Sequence, residues 1–172
     1  MHSKKYSNML QSKDIPYFEE TQKRTFFQKL RKIKNTILLL LAYTFPSSSV
    51  RVRLHKCRGV HIGSSVYIGL FCFIDNLYPE YIYIEDNVGI NTGSMILAHF
   101  NPGKRFKRVL KAQVEPVLIK TGAMIAVKSI IMPGVIIGEN AIVAAGSVVY
   151  ENVEDYTLYR GNPAKKVGKI KI

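Results

Sequence analysis

Between Ile119 and Val149 the chain places an Ile or Val at every sixth position: Ile119, Ile125, Ile131, Ile137, Val143 and Val149. Four places after each of the first five stand Ala123, Ser129, Val135, Ala141 and Ser147, all small or β-branched. Neither a helical period of 3.6 nor plain alternation generates that phase. A helix spreads positions six apart around its axis, and alternation does not single out every third inward residue. A six-residue repeat describes one short flat face ending in a corner, and such faces stack into a parallel β-solenoid. The Ile/Val column then fills the interior. The small residue turns in beside the corner, where little room remains.

The same phase appears earlier in the chain. Ile62, Ile68 and Ile74 form one set, and Ile84, Ile90 and Ile96 a second, with Val66, Cys72, Val88 and Ser94 at the small position. From about Arg51 to Ile170 this pattern resembles the hexapeptide-repeat acyltransferase family. The resemblance implies an all-β fold, a left-handed parallel β-helix of about four coils. Parallel crossovers are normally right-handed, so the hand comes from the resemblance and not from the repeat. The expected division is a basic, helical extension over 1–50 and a β-helix acyltransferase domain over 51–172.

Charge is distributed unevenly along the 172 residues, whose net charge is +13. Residues 1–58 hold 13 Lys/Arg against 3 Asp/Glu, whereas residues 59–172 hold 12 against 9. The basic character therefore belongs to the N-terminal segment and points to an anionic surface as partner. Nucleic acid is the weaker choice and is not expected, because no groove-reading motif accompanies the charge. The two cysteines, Cys57 and Cys72, form no disulfide framework, which fits a reducing compartment. Cys72 falls on an inward small position and reads as core.

Residues 1–20 have no clear period and stay unassigned. From Thr21 a helical stripe runs through Phe26, Leu30, Ile33, Ile37, Leu40, Leu41 and Thr44, ending at Pro46 and the serines 47–49. Its apolar run from Ile37 to Phe45 is too short for a spanning helix, which needs about 20 residues. It also lacks the cleavage pattern of a signal peptide. Such a helix packs on the solenoid or a neighbouring subunit, or lies in a membrane interface with its basic residues on anionic lipid. Val50 to Arg58 alternates apolar and basic residues and reads as a basic lead-in to the first coil, with a solvated face. The expected location is cytoplasmic, at or near the inner face of the cell membrane.

Functional groups on a solenoid ride on departures from the repeat, and two stand out. The gap from Ile74 to Ile84 contains Asp75-Asn76-Leu77-Tyr78-Pro79-Glu80-Tyr81. The gap from Ile96 to Ile119 begins Leu97-Ala98-His99-Phe100-Asn101. Long loops in compact domains commonly carry function. Asp75 replaces the glycine that follows Ile62 and Ile68. Its carboxylate accepts from a sugar hydroxyl as a substrate-binding group, orients a base, or serves the turn. His2, His55 and His61 are weaker candidates than His99. A zinc site of three clustered imidazoles is not written in this chain, and no metal is expected.

The resemblance supplies roles for particular positions. A histidine opening the long loop is the family's catalytic base, which makes His99 the base; a loop histidine bonding only the backbone is the alternative. Imidazole suits that role, since its unperturbed pKa of about 6.5 leaves much of it neutral near pH 7. The implied donor is acetyl-coenzyme A in a groove between adjacent solenoids of a homotrimer, beside Ala126, Val127 and Ala145. Lys165, in the terminal Gly161-Asn-Pro-Ala-Lys165, is the cation for nucleotide phosphate. Ala126 stands where the family often has glycine, and Lys128 is uncommon on that corner. The acceptor implied is a hydroxyl of a carbohydrate, and the basic helix with the Asp75–Glu80 loop resembles enzymes that decorate capsule or other surface glycans. Transfer to an amino sugar, or a scaffold without chemistry, are the other readings.

Overall fold

The computed structural model describes residues 13–15 and 25–171. The proposed start of the helical stripe at Thr21 lies outside them. From His61 onward the chain visits three sheets in rotation. The first holds His61–Ile62, Ile82–Ile84, Val117–Ile119 and Ile136–Ile137. The second holds Tyr67–Ile68, Gly89–Ile90, Met124–Ile125 and Ile142–Val143, and continues into Thr157–Gly161 and Ala164–Lys169. The third holds Phe73–Ile74, Met95–Ile96, Ile130–Ile131 and Val148–Val149. Neighbours between successive circuits are parallel, with Ile62↔Ile84, Ile84↔Ile119 and Ile119↔Ile137 in register. Each circuit adds one rung to every sheet.

The inward column explains this register. Ile68, Ile74, Ile90, Ile96, Ile119, Ile125, Ile131, Ile137 and Val143 are fully buried in one core. Removing a large aliphatic side chain from water contributes about 1.5–3 kcal/mol, so a slip in register would undo the gain at every circuit. The small positions are also buried, and their hydroxyls find carbonyls between circuits: Ser94 Oγ donates to Ala126 O at 2.9 Å and Ser129 Oγ to Ala144 O at 2.9 Å. Three residues after most inward Ile or Val positions, but not after Ile74, Ile96 or Val149, the backbone enters the left-handed region, at Ser65, Phe71, Asn87, Gly93, Gly122, Lys128, Gly134, Asn140 and Gly146. These are the corners. Gly and Asn dominate because a Cβ there crowds the following carbonyl. Phe71 is held there by the N-terminal helix: its N–H donates to Tyr43 O at 2.8 Å and its ring meets Tyr43 at 5.4 Å.

Two helices precede the circuits. Helix α1, Phe26–Thr44, starts at a capping box in which Thr25 and Gln28 exchange hydrogen bonds. Helix α2, Ser48–Arg58, ends at Gly59 in the left-handed conformation. Here the sequence expectation is corrected. The stretch 50–58 is not an alternating lead-in with a solvated basic face but a helix straddling the 50/51 division. Arg51, His55 and Arg58, at steps of four and three, form its buried side. The physical reason lies in the first circuit, whose outer edge no preceding strand covers among the described residues. Arg51 donates to Ile68 O at 2.8 Å and to Pro46 O at 2.8 Å, and Arg58 to Ile74 O at 2.9 Å and Asp75 O at 2.6 Å. Most of the buried guanidinium nitrogens are thus met by backbone carbonyls, while Arg58 Nε has no partner among the described residues.

His55 completes this layer. Its Nδ1 lies 2.8 Å from Arg58 Nη1. A guanidinium only donates, so the imidazole accepts, is neutral, and carries its proton on Nε2. Burial, then Arg58 and Arg51, bring its pKa from 6.5 down to about 3. A depressed pKa means that the unfolded state binds the proton first. The stability this group contributes is complete above pH 6.5 and is lost as pH falls toward 3. Unfolding free energy between those limits should therefore fall with a slope of up to about 1.4 kcal/mol per pH unit from this one proton. His55→Gln should remove that part of the slope, as denaturant titrations at several pH values would report. Equal slopes for both proteins would refute it.

Candidate active site

The first excursion, Asp75 to Tyr81, is held from three directions. Asn76 Nδ2 donates to Thr36 Oγ1 on α1 at 3.0 Å, and Glu80 pairs with Arg31 of the same helix at 3.2 Å. Arg58 of α2 grips the carbonyls of Ile74 and Asp75. Inside this clamp the Asp75 carboxylate is completely buried. Its Oδ1 accepts from the N–H groups of Leu77 at 2.9 Å and Tyr78 at 3.0 Å. Its Oδ2 accepts from Ala98 N–H at 2.9 Å and meets His99 Nδ1 at 2.5 Å. Burial alone would push this carboxyl up; the hydrogen bond and charge of His99, with the Ala98 and Tyr78 amides, outweigh it and hold the pKa below the usual carboxylate range. Four donors surround the ionised group.

The second excursion leaves the third sheet at Leu97, whose N–H donates to Ile131 O. His99–Phe100 then pairs antiparallel with the returning Gln113–Val114, and Lys13–Asp14 adds an outer strand on Gln113–Val114. The base candidate therefore sits on a hydrogen-bonded ribbon, with Val114 opposite it and fully buried. Because the carboxylate only accepts, His99 donates through Nδ1, and Nε2 holds the lone pair. The side chain is 22% exposed, and the Tyr78 ring stands 5.4 Å away. An imidazole oriented by a buried carboxylate, with its side chain partly exposed, can in its neutral form take a proton from a bound hydroxyl.

The structure brings Asp75 and His99 together, and it narrows the role of Asp75. Direct binding of a sugar hydroxyl, given above as its site assignment, is corrected. The carboxylate is out of reach of solvent and its oxygens are occupied by this chain's own donors. The orienting and turn roles both fit. Two positioning groups escaped the sequence reading. Tyr78 had no signal beyond its loop. Arg58 had one, the 51/55/58 spacing, hidden by a competing alternation. His61 is exposed and stacks on Tyr83 at 4.6 Å. No group of three metal-ligating side chains is found among the described residues.

Ala126, Val127 and Ala145 fall on one corner line. Gly146 N–H donates to Val127 O at 2.9 Å, and Lys128 N–H donates to Thr92 O one circuit earlier. Val127 and Ala145 are exposed and Ala126 is partly so. Lys165 belongs to the terminal hairpin and pairs with Glu151 at 3.2 Å on an open surface. That hairpin leans on the same corner line, since Gly161 N–H donates to Ser147 Oγ at 3.0 Å. His99 lies elsewhere. The corner of Ala126–Lys128 precedes Ile130–Ile131, whereas His99 follows Met95–Ile96, the neighbouring rung of the same sheet. Within one chain the two groups occupy opposite ends of the third sheet.

Comparison with known proteins places this arrangement. Residues 116–151 match the family described as Bacterial transferase hexapeptide (six repeats). YvoF of Bacillus subtilis (strain 168), named as an acetyltransferase, is 29% identical over 137 residues, covering 79% of this chain and 76% of that protein. A Saccharomyces cerevisiae protein named as an acetyltransferase, YJL218W, is 34% identical over 123 residues, spanning 63% of this chain and 58% of its own. Among solved structures, a hexapeptide-repeat acetyltransferase of Vibrio cholerae in complex with acetyl coenzyme A superposes with a TM-score of 0.68 at 22% identity, covering 84% of this chain and 89% of that one. A galactoside acetyltransferase in complex with coenzyme A gives 0.66 at 18% identity, with 92% of each chain covered. At those identities the structural likeness carries the fold alone. Residues 116–151 thus carry the bacterial transferase hexapeptide repeat, and the chain is similar over most of its length to a protein named as an acetyltransferase.

Proposed function

We propose that this protein transfers acetyl from acetyl-coenzyme A to a hydroxyl of a carbohydrate, on a left-handed parallel β-helix that works as a homotrimer. The observation that carries the reading is the Asp75–His99 pair, with Nδ1 bonded to a buried carboxylate at 2.5 Å and the ring partly open to solvent. His99 Nε2 takes the hydroxyl proton as the acceptor oxygen attacks the thioester carbonyl carbon. Collapse of the tetrahedral intermediate breaks the carbon–sulfur bond, and the departing thiolate recovers the proton from His99. The products are an acetyl ester and coenzyme A. No acyl-enzyme is involved. Asp75 steadies the imidazolium formed on the way, and its depressed pKa keeps it ionised for that purpose.

The donor is assigned to the corner line of Ala126, Val127 and Ala145, where small side chains permit close approach of an amide-rich arm. Lys165 meets the nucleotide phosphate by leaving Glu151, an exposed pair of the kind worth about 0–1 kcal/mol. Since this line and His99 lie at opposite ends of one sheet, a copy related by symmetry completes each site. Light scattering should then give about three times the chain mass; an active monomer would overturn the shared site.

The reaction is tested by thiol release from acetyl-coenzyme A across a panel of glycans, with products read by mass spectrometry. An acetyl group labile to mild base supports the ester; one that survives identifies an amino-sugar acceptor instead. His99→Ala should lower turnover by roughly 10²–10⁴ while leaving donor affinity near the native value. Asp75→Asn should also lower turnover with donor affinity near native, because the charge that steadies the imidazolium has gone. Near-native turnover of His99→Ala with both substrates saturating would overturn the mechanism.

A further inference from the structure

Helix α1 is turned the unexpected way round. Its buried residues are Asn35, Leu39 and Ala42, on one side of the helix. Its apolar stripe points outward: Phe26, Phe27, Leu30, Ile33, Ile37, Leu40 and Leu41 are all exposed, Phe27 by 80% and Leu40 by 63%. At 3.6 residues per turn these positions cover an arc of about 140°, centred opposite the buried side. An apolar stripe of that width normally faces a protein core. Here the core side is served by a small residue, a leucine and an amide. The stripe is left for something outside the chain.

Charge identifies the occupant. From Phe26 to Arg58 the chain has eight Lys/Arg and no Asp or Glu. By helical phase Lys29 and Arg31 border the stripe on its two sides and Lys34 falls within it; Lys29, Lys32, Lys34, Arg53 and Lys56 are exposed. Pairing this helix with its own copy would set lysine against lysine with no carboxylate on either helix to offset it. An anionic lipid surface takes both halves of the pattern, since the apolar arc enters the acyl boundary and the ammonium groups stay among the headgroups. Among the described residues no helix is long and apolar enough to cross a membrane, so the contact is in-plane. We infer that α1 docks this protein on the surface of an anionic membrane through the stripe from Phe26 to Leu41. The inference rests on the helix alone and is independent of the reaction proposed above.

The test is sedimentation of the full chain with vesicles. Phosphatidylglycerol-rich vesicles should bring the protein down at about 50 mM salt, with binding falling at least about tenfold at roughly 500 mM. Phosphatidylcholine vesicles should bind much less. Ile37→Glu with Leu40→Glu should abolish binding while the melting temperature and the mass by light scattering stay native, since both side chains point away from the fold. Lys29→Glu with Lys32→Glu should remove the preference for anionic lipid. Failure of the native chain to sediment with anionic vesicles at low salt would overturn the proposal. So would a smaller mass for the Ile37→Glu/Leu40→Glu protein, because the stripe would then be covered by a second copy.

Discussion

One inward column of isoleucine and valine sets the register of the parallel strands from Ile62 to Val149. Each of these side chains stacks on its equivalents one circuit before and after, so no rung is held by local contacts alone. The two-residue strands have no independent stability. They exist because the column aligns them. The left-handed corners three residues later follow from the same constraint, since a flat face that must return to the column has to bend at a fixed place. Strain at a bulky corner such as Lys128 is tolerated because its neighbours, Gly93 before and Gly146 after, accept the bend without cost.

A frame this regular offers nothing for chemistry unless it is interrupted. Both long interruptions emerge from the third sheet, after Ile74 and after Ile96, which are paired in adjacent rungs. That stacking is what carries Asp75 beneath His99. The column thus fixes the site indirectly, by deciding where two loops begin. The helices then remove the remaining freedom: Thr36 and Arg31 hold the first loop from outside, and Arg58 holds its backbone from within. Arg58, whose pKa burial brings down to about 10 against the opposing pull of Asp75, stays charged at neutral pH and so keeps these bonds.

The repeat made most of this legible. Ile119 through Val149, and Ala123 through Ser147, took the inward places that their spacing required, and His99 opened its excursion as read. What stayed hidden was local geometry that two patterns share. Val50 to Arg58 satisfies an alternating pattern and a helical one at once, and only the uncovered edge of the first circuit decides between them. The outward turn of α1 was equally invisible, because a stripe in the sequence marks one face of a helix without saying which way that face looks. Asp75 could be picked out as the carboxylate that opens the first loop, yet its separation from solvent depends on donors at Leu77, Tyr78 and Ala98 that no spacing announces.

The terminal hairpin has a consequence for how such molecules coexist in solution. A stack of identical rungs has two ends that match each other, and a bare stack would extend into fibres by adding one molecule to the next. At the start, α2 covers the outer edge with guanidinium groups. At the finish, Ala164–Lys169 runs antiparallel to Thr157–Gly161 and shows Lys165, Lys166 and Lys169 along its length. On the second sheet an incoming copy would meet a strand of reversed direction, not the parallel rung its own first circuit requires. The ladder can be read as finite because its last step points backward.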